Sequence, residues 1–246
     1  MPFILLLPLL FGALAACQRP NSQDDSTAAQ SDAADPFAVS RRRMVREQLS
    51  ARGIQDKAVL AAMSRVPRHR FVPELHQDDA YADNPLPIGF DQTISQPYIV
   101  AYMTEAARVS RDDKVLEVGT GSGYQAAILA ELAAQVYTIE IIPELAAGAR
   151  KVLGELGYKN VEVRTGDGYA GWKEHAPFDA IVVTAAPDHV PQALVEQLAV
   201  NGRMIIPVGT GEQEMRVITR TATGVTQEST LRVRFVPLVR SDTSKR

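Results

Sequence analysis

The sequence is poor in the residues that build covalent staples and metal centres. Its 246 positions hold one cysteine, Cys17, so no internal disulfide and no cysteine-rich metal site can form. Four histidines (His69, His76, His175 and His189) are scattered, and none shows a metal-ligand spacing such as H-E-x-x-H. No metal is therefore expected. A basic excess is missing too: the net charge is -3, which predicts no nucleic-acid partner. No segment repeats internally. What remains is an ordinary balance of 46% hydrophobic and 22% charged residues. That balance excludes a wholly disordered or collagen-like chain and lets one enzyme-sized domain bury a real core.

Charge is also absent from residues 2–16, PFILLLPLLFGALAA. The run falls short of the roughly 20 apolar residues a membrane-spanning helix needs. It fits the apolar part of a signal peptide, with small residues before a cleavage point, although no Lys or Arg precedes it. Leu14-Ala15-Ala16-Cys17 resembles the lipobox of bacterial lipoproteins, which implies cleavage before Cys17 and a lipid on that cysteine. Residues 18–36 are polar, rich in Ser, Asp, Gln and Ala, and cannot bury enough surface to offset their ordering entropy. The expected organisation is a signal peptide over 1–16, a lipidated cysteine and flexible tether over 17–36, and a folded domain over 37–246. It places the domain at the cell envelope, on the membrane only through a lipid on Cys17.

In the folded region, residues 37–50 carry a basic helical pattern that Gly53 can stop. Asp56 can cap a helix over Lys57 to Arg65, with Val59, Leu60 and Met63 on one face. Pro67, Pro73, Pro85 and Pro87 mark irregular chain, and Pro97–Arg108 reads as a helix with proline in its first turn. These parts form an N-terminal helical cap. From Lys114 the pattern alternates. Strands are predicted at Val115–Val118, Val136–Ile139, Val161–Val163, Phe178–Thr184 and Arg203–Val208, with helices over Tyr124–Ala133, Pro143–Leu156 and Val190–Leu198 between them. Such alternation predicts an α/β fold, a mostly parallel sheet with helices on both faces. Met215–Thr219 and Thr230–Val236 read as antiparallel C-terminal strands.

The chemical signal is strongest where the first of those strands meets its helix, at Val115-Leu116-Glu117-Val118-Gly119-Thr120-Gly121-Ser122-Gly123-Tyr124. Ligands of open α/β sheets bind at this carboxyl edge, and glycines there allow close approach to the backbone. A nucleotide-type cofactor is expected. The dinucleotide fingerprint wants G-x-G-x-x-G, whereas the spacing here is G-x-G-x-G with Tyr124 in the third glycine position. Glu140 ends the second strand, 21 residues after Gly119, and can accept both ribose hydroxyls of any adenosine cofactor. Gly166-Asp167-Gly168 ends the third strand. Taken singly, these carboxylates are ordinary loop or capping residues; their joint placement at successive strand ends argues for the cofactor.

The G-x-G-x-G spacing resembles motif I of S-adenosylmethionine-dependent methyltransferases, a Rossmann-like class I fold. Ahead of it stands Pro85-Leu86-Pro87-Ile88-Gly89-Phe90-Asp91-Gln92-Thr93-Ile94-Ser95-Gln96-Pro97. This block closely resembles the hallmark of protein-L-isoaspartate (D-aspartate) O-methyltransferases. The resemblance also takes in Arg52-Gly53-Ile54, Val66-Pro67-Arg68-His69, Ala176-Pro177-Phe178-Asp179, Thr184-Ala185-Ala186 and Arg234-Phe235-Val236-Pro237-Leu238, and so covers roughly residues 44 to 239.

The resemblance implies a monomeric protein-repair enzyme. It would move a methyl group from S-adenosylmethionine to the free carboxylate of L-isoaspartyl or D-aspartyl residues in age-damaged proteins. Glu117, Gly119, Gly121, Gly123, Glu140, Asp167 and Gly168 are then the cofactor-binding residues, with Asp167 at the adenine. Ser95 is the active-site residue, Thr93 and Ile94 lie along the bound peptide, and Arg234 borders it. Without the resemblance, Ser95 beside Gln96-Pro97 reads as a helix cap, and Arg232, Arg234 and Arg240 read as solvated strand faces. Asp91 departs from the glycine that most bacterial relatives carry, and the leader departs from a family usually found in the cytoplasm. Three rival readings share the scaffold: another carboxyl methyltransferase, an envelope binding protein without turnover, and, disfavoured by Tyr124, a nicotinamide oxidoreductase. The lipobox reading predicts that Cys17→Ser abolishes metabolic labelling of the full chain by a fatty acid; unchanged labelling would refute it.

Overall fold

The computed structural model describes residues 35–240. The expected signal peptide over 1–16, the lipid site at Cys17 and nearly all of the tether lie outside the described residues. From Val39 onward the chain forms one contact-dense unit. Among the described residues no helix is long and apolar enough to cross a membrane.

The cap begins with helix α1 (Ala38–Arg43), which runs on through a π-helical turn at Met44–Leu49 and a 3-10 turn at Ser50–Arg52. It ends where Gly53 takes φ +100°, a left-handed conformation that glycine adopts at no steric cost. Helix α2 (Lys57–Arg65) starts as predicted: the Asp56 carboxylate accepts from the amides of Ala58 and Val59, satisfying two of its orphan donors. The proline-rich stretch that follows is not all irregular. Leu86–Gly89 (β1) and Gln92–Ile94 (β2) pair as a small antiparallel hairpin. Its two-residue connection is Phe90-Asp91, with φ +54° and +56°. Positive φ at both central residues belongs to the turns that match strand twist, and Asp tolerates it better than most residues. Prolines at 85 and 87 masked this hairpin in the sequence. Helix α3 (Pro97–Ala107) then leads to the main sheet.

That sheet contains β3 (Lys114–Val118), β4 (Gln135–Glu140), β5 (Val161–Thr165), β6 (Phe178–Val183), β7 (Leu198–Val208), β8 (Gln213–Thr221) and β9 (Gly224–Val233). The spatial order is β5-β4-β3-β6-β7-β8-β9, parallel through β7 and antiparallel beyond it. Helices α4 (Tyr124–Ala130), α5 (Pro143–Glu155) and α6 (Gln192–Gln197) make the crossovers. The central strands carry mostly apolar residues because both their faces are covered, with Glu117 in β3 and Thr138 in β4 as buried polar exceptions. Leu116, Val118, Ile181 and Val183 point to the face covered by Leu194 of α6 and by Trp172. Val115 and Glu117, one residue out of phase, point to the opposite face. Chain order reverses direction at β3, so a crevice opens at the carboxyl ends of β3, β4 and β6.

Several expected boundaries shift: β7 begins at Leu198 rather than Arg203, α6 begins at Gln192 rather than Val190, and β8 runs over Gln213–Thr221 rather than Met215–Thr219. Helix α4 stops at Ala130 rather than Ala133. The last strand is Gly224–Val233, not Thr230–Val236. Its first half, Thr226-Gln227-Glu228-Ser229, is exposed at the sheet edge and carries no apolar alternation to betray it. Residues 234–238 leave the sheet instead and lie against Ala186, whose amide donates to Val236 O at 2.8 Å and whose carbonyl accepts from Leu238 N at 2.8 Å. Leu116 is fully buried at the centre of the sheet. Leu116→Ala is expected to cost about 2–5 kcal/mol, read as a lowered urea midpoint in an equilibrium titration.

Candidate active site

Register brings the site together. Val118 is level with Ile139 on one side and with Val183 on the other. The next residues, Gly119, Glu140 and Thr184, therefore emerge side by side at the carboxyl edge. The chain leaving β3 is pinned from both flanks. The amides of Gly119 and Thr120 donate to Ile139 O at 2.8 and 3.2 Å. The Glu140 carboxylate accepts from Gly121 N at 2.8 Å through one oxygen and from Ile142 N at 3.0 Å through the other. The Thr184 hydroxyl reaches Gly119 O at 2.5 Å and Val118 O at 3.1 Å. A Cβ on Gly119 would stand 2.4 Å from the Thr184 hydroxyl, and its φ is +98°. This glycine is demanded by space and by conformation together.

Beneath the loop lies a buried polar chain. Thr138 donates its hydroxyl to Glu117 Oε2, and the Thr120 and Thr138 hydroxyls stand 2.6 Å apart. The other oxygen of Glu117 is buried without a hydrogen-bond partner. Burial pushes the Glu117 carboxyl up to about 8, and the negative charge of Glu140 adds to the rise, against the lowering effect of the bond from Thr138. Glu117 is thus a buried acid whose charged form its surroundings disfavour.

Two clefts open at this edge. The first, about 790 Å³ counting its open mouth, is lined by Gly119–Ser122, Glu140, Ile141, Ile142 and Gly168, by Thr93, Ile94 and Ser95 of the hairpin side, and by Val236–Val239. The second, about 1050 Å³, runs between Pro85, Gln96 and Ile99 on one wall and Arg232–Val236 on the other. Thr93, Ser95, Thr184 and Val236 line both. The two clefts meet at the serine.

The expected site residues divide accordingly. Gly119, Gly121, Glu140 and Gly168 line the first cleft, and so does Ile94, whose side chain is largely buried. Thr93 and Ser95 stand at the junction, and Arg234 lines the second cleft with Arg232. Glu117, Gly123 and Asp167 are not in either wall. Glu117 supports the loop from below. Gly123, at φ +89°, starts α4 so close to α5 that a Cβ would meet Ala149 and Leu153 at 3.3 Å. The Asp167 carboxylate caps a 3-10 turn by accepting from Tyr169 N at 2.9 Å. Gly168 also has a packing reason, since a Cβ there would fall 2.4 Å from Val118 Cγ1.

Sequence reasoning gave no separate role to Thr120, Thr138 or Thr184. Isolated threonines carry no motif, and only strand register reveals that they converge. Capping by Ser95 is also set aside: Gln96 is the cap residue of α3, and neither it nor Ser95 makes a side-chain capping bond. Among the described residues no group of three His, Cys, Asp or Glu side chains could hold a metal ion.

The cleft suits an adenosine cofactor on its own geometry. Both Glu140 oxygens keep acceptor capacity beyond their single backbone bonds, and the Gly119–Gly121 backbone lines the cleft.

Comparison with known proteins agrees. The family model described as Protein-L-isoaspartate(D-aspartate) O-methyltransferase (PCMT) matches residues 40–243. A protein-L-isoaspartate O-methyltransferase of Gloeobacter violaceus is 64% identical over 199 residues, covering 80% of this chain and 97% of that relative. One from Picosynechococcus is 60% identical over 205 residues, covering 83% and 92%. Among solved structures, a protein-L-isoaspartate O-methyltransferase superposes with a TM-score of 0.74 at 28% identity, covering 80% of this chain and 65% of that one. A beta-aspartate methyltransferase of Plasmodium falciparum, in complex with S-adenosyl-L-homocysteine, gives 0.73 at 26% identity, covering 82% and 99%. With a matched family model over most of its length and relatives this similar, the chain belongs to the protein-L-isoaspartate (D-aspartate) O-methyltransferase family.

Proposed function

We infer that the protein repairs damaged proteins by methylating the free carboxylate of L-isoaspartyl residues, and of D-aspartyl residues, with S-adenosylmethionine as donor. The observation that carries this reading is the junction of the two clefts at Ser95, inside a chain of this family. One cleft fits a nucleoside-bearing cofactor; the other is open enough for a polypeptide.

Glu140 and the Gly119–Gly121 backbone hold the cofactor, with Gly168 in the facing wall. S-adenosylmethionine supplies an electrophilic methyl carbon on a positively charged sulfur, which leaves as a neutral thioether. The acceptor carboxylate, with an ordinary pKa of about 4, is already ionised at neutral pH. No general base has to generate it. The protein's task is to line up acceptor and methyl and to keep water out. Ser95 donates its hydroxyl to the acceptor carboxylate and fixes which oxygen faces the first cleft. Thr93 lies beside it along the peptide. Ile94, Val118, Val236 and Leu238 make the shared cavity apolar, so that bond is not diluted by solvent. Arg234, with Arg232, faces the peptide cleft and favours an anionic acceptor. The protein acts as a monomer, tethered to the cell envelope through Cys17; the apolar run over 2–16 and the sequence Leu14-Ala15-Ala16-Cys17 support that location.

The test is methyl transfer by the full chain from labelled S-adenosylmethionine to matched isoaspartyl and aspartyl peptides. Transfer to the isoaspartyl peptide alone is expected; equal transfer to both, or to neither, overturns the reading. In the same assay Ser95→Ala should lower kcat about 10- to 100-fold, the scale of a hydrogen bond to a charged group. Its Kd for S-adenosylhomocysteine should stay within about twofold of the parent. Equal losses in both would remove the orienting role.

The raised pKa of Glu117 carries a stability signature. The folded chain binds that proton more tightly than the unfolded chain does, so the group weakens the fold as pH rises from about 4.5 to about 8. Glu117→Gln, which stays neutral, should therefore gain in melting temperature relative to the parent as pH rises from 5 to 8 without cofactor. A parallel pH dependence in parent and variant would show that Glu117 does not titrate there.

A further inference from the structure

The amino end of α3, which carries Ser95 and Gln96 just ahead of Pro97, is not capped by its own residues. It is capped from another segment. Asp83 Oδ1 accepts from Tyr98 N, in the first turn of α3, at 2.9 Å. Asp83 Oδ2 accepts from Gln96 Nε2 at 2.8 Å and from the Arg52 guanidinium. The guanidinium of Arg52 in turn lies 3.8 Å from the centre of the Tyr98 ring. One mostly buried carboxylate thus ties together the helix start, the residue after Ser95 and the helical cap.

The segment that presents Asp83 is itself held from within. Arg68, fully buried, donates from Nε to Ala80 O at 2.8 Å and from Nη2 to Asn84 O at 3.5 Å. Gln48 Nε2 donates to Tyr81 O at 3.0 Å. Asp83 is therefore presented to α3 by a segment anchored on the helical cap. The orphan donors of a helix start attract a carboxylate both by hydrogen bonding and through the helix dipole. The cap position itself is held by Gln96, and Ser95 stands one residue outside it. Here the Ser95 hydroxyl makes no hydrogen bond among the described residues, and it lines both clefts.

We propose that Asp83 is a positioning residue of the methyl-transfer site: by capping α3 and gripping Gln96, it fixes the backbone next to Ser95 and holds the Ser95 hydroxyl at the junction of the two clefts. The inference rests on the acceptor-orienting role of Ser95 given above. Asp83 touches neither acceptor nor cofactor; it acts through Ser95. Arg52 neutralises it, so the arrangement places no unpaired negative charge near an anionic substrate.

A double-mutant cycle in the full chain tests this, with kcat/KM for the isoaspartyl peptide and Kd for S-adenosylhomocysteine as readouts. Asp83→Ala should lower kcat/KM about 10-fold, the scale of one lost hydrogen bond to a charged group, with the Kd unchanged within about twofold. Asp83→Ala/Ser95→Ala should be no worse than Ser95→Ala alone, because the pair works as a unit. Asp83→Asn, of the same size, keeps an acceptor for Tyr98 N but turns an amide toward Gln96 and Arg52; it should show a smaller loss with the same non-additivity, and it carries the test if the alanine variant does not fold. Losses that multiply in the double variants, or Asp83 variants as active as the parent, overturn the proposal. An inactive parent chain would instead strike the proposed function itself, so the two failures are distinguishable.

Discussion

At the exit from β3, a backbone carbonyl, a threonine hydroxyl and a carboxylate hold four residues of backbone, Val118 to Gly121, in a conformation that favours glycine at Gly119. The clamp is bilateral. Ile139 and Glu140 act from β4, and Thr184 acts from β6. Both flanks are available because β3 lies between strands that continue in opposite directions across the sheet. Were β3 an edge strand, one side of the loop would face water. Because the loop is fixed, its floor can be polar and buried, its mouth can take a nucleoside, and the start of α4 can approach α5 closely at Gly123.

That rigidity has a cost, and Glu117 bears it. A fully buried carboxylate with one satisfied oxygen is an expensive object in the middle of a sheet. Thr138 offsets part of the cost, and Thr120 ties the same hydroxyl chain to the glycine loop. The result is a polar group placed where an apolar residue would pack more favourably, directly beneath the cofactor cleft. Such local departures from packing economy are characteristic of working sites.

The two clefts divide the chemical labour. The sheet edge supplies the cofactor side through backbone and Glu140, while the β1–β2 hairpin and the chain after β9 close over it from opposite sides. The reacting groups need no protein base, no metal and no covalent intermediate, so the demand falls on geometry and dryness. The residues at the junction answer that demand: a serine without capping duty, flanked by threonines and aliphatic side chains. Asp83, on a segment held by the buried Arg68, caps the helix that follows this serine and grips Gln96 beside it.

Much of this was written in the sequence. The continuous apolar runs at Val115–Val118 and Ala180–Val183, the G-x-G-x-G spacing and the carboxylate at Glu140 determined a parallel sheet with a nucleoside site at its carboxyl edge, because periodicity and glycine conformation are local properties. Asp56 as a cap and Gly53 as a stop were legible for the same reason. The β1–β2 hairpin and the exposed half of β9 were not: prolines and polar residues at a sheet edge carry no alternating pattern. Which residues meet was decided only by tertiary structure. Strand register set Gly119, Glu140 and Thr184 abreast, buried threonines joined Glu117 to the loop, and Asp83, rather than any residue next to the helix, took the capping of α3. A carboxylate reaches a helix start through space, and nothing in the order of residues records that distance.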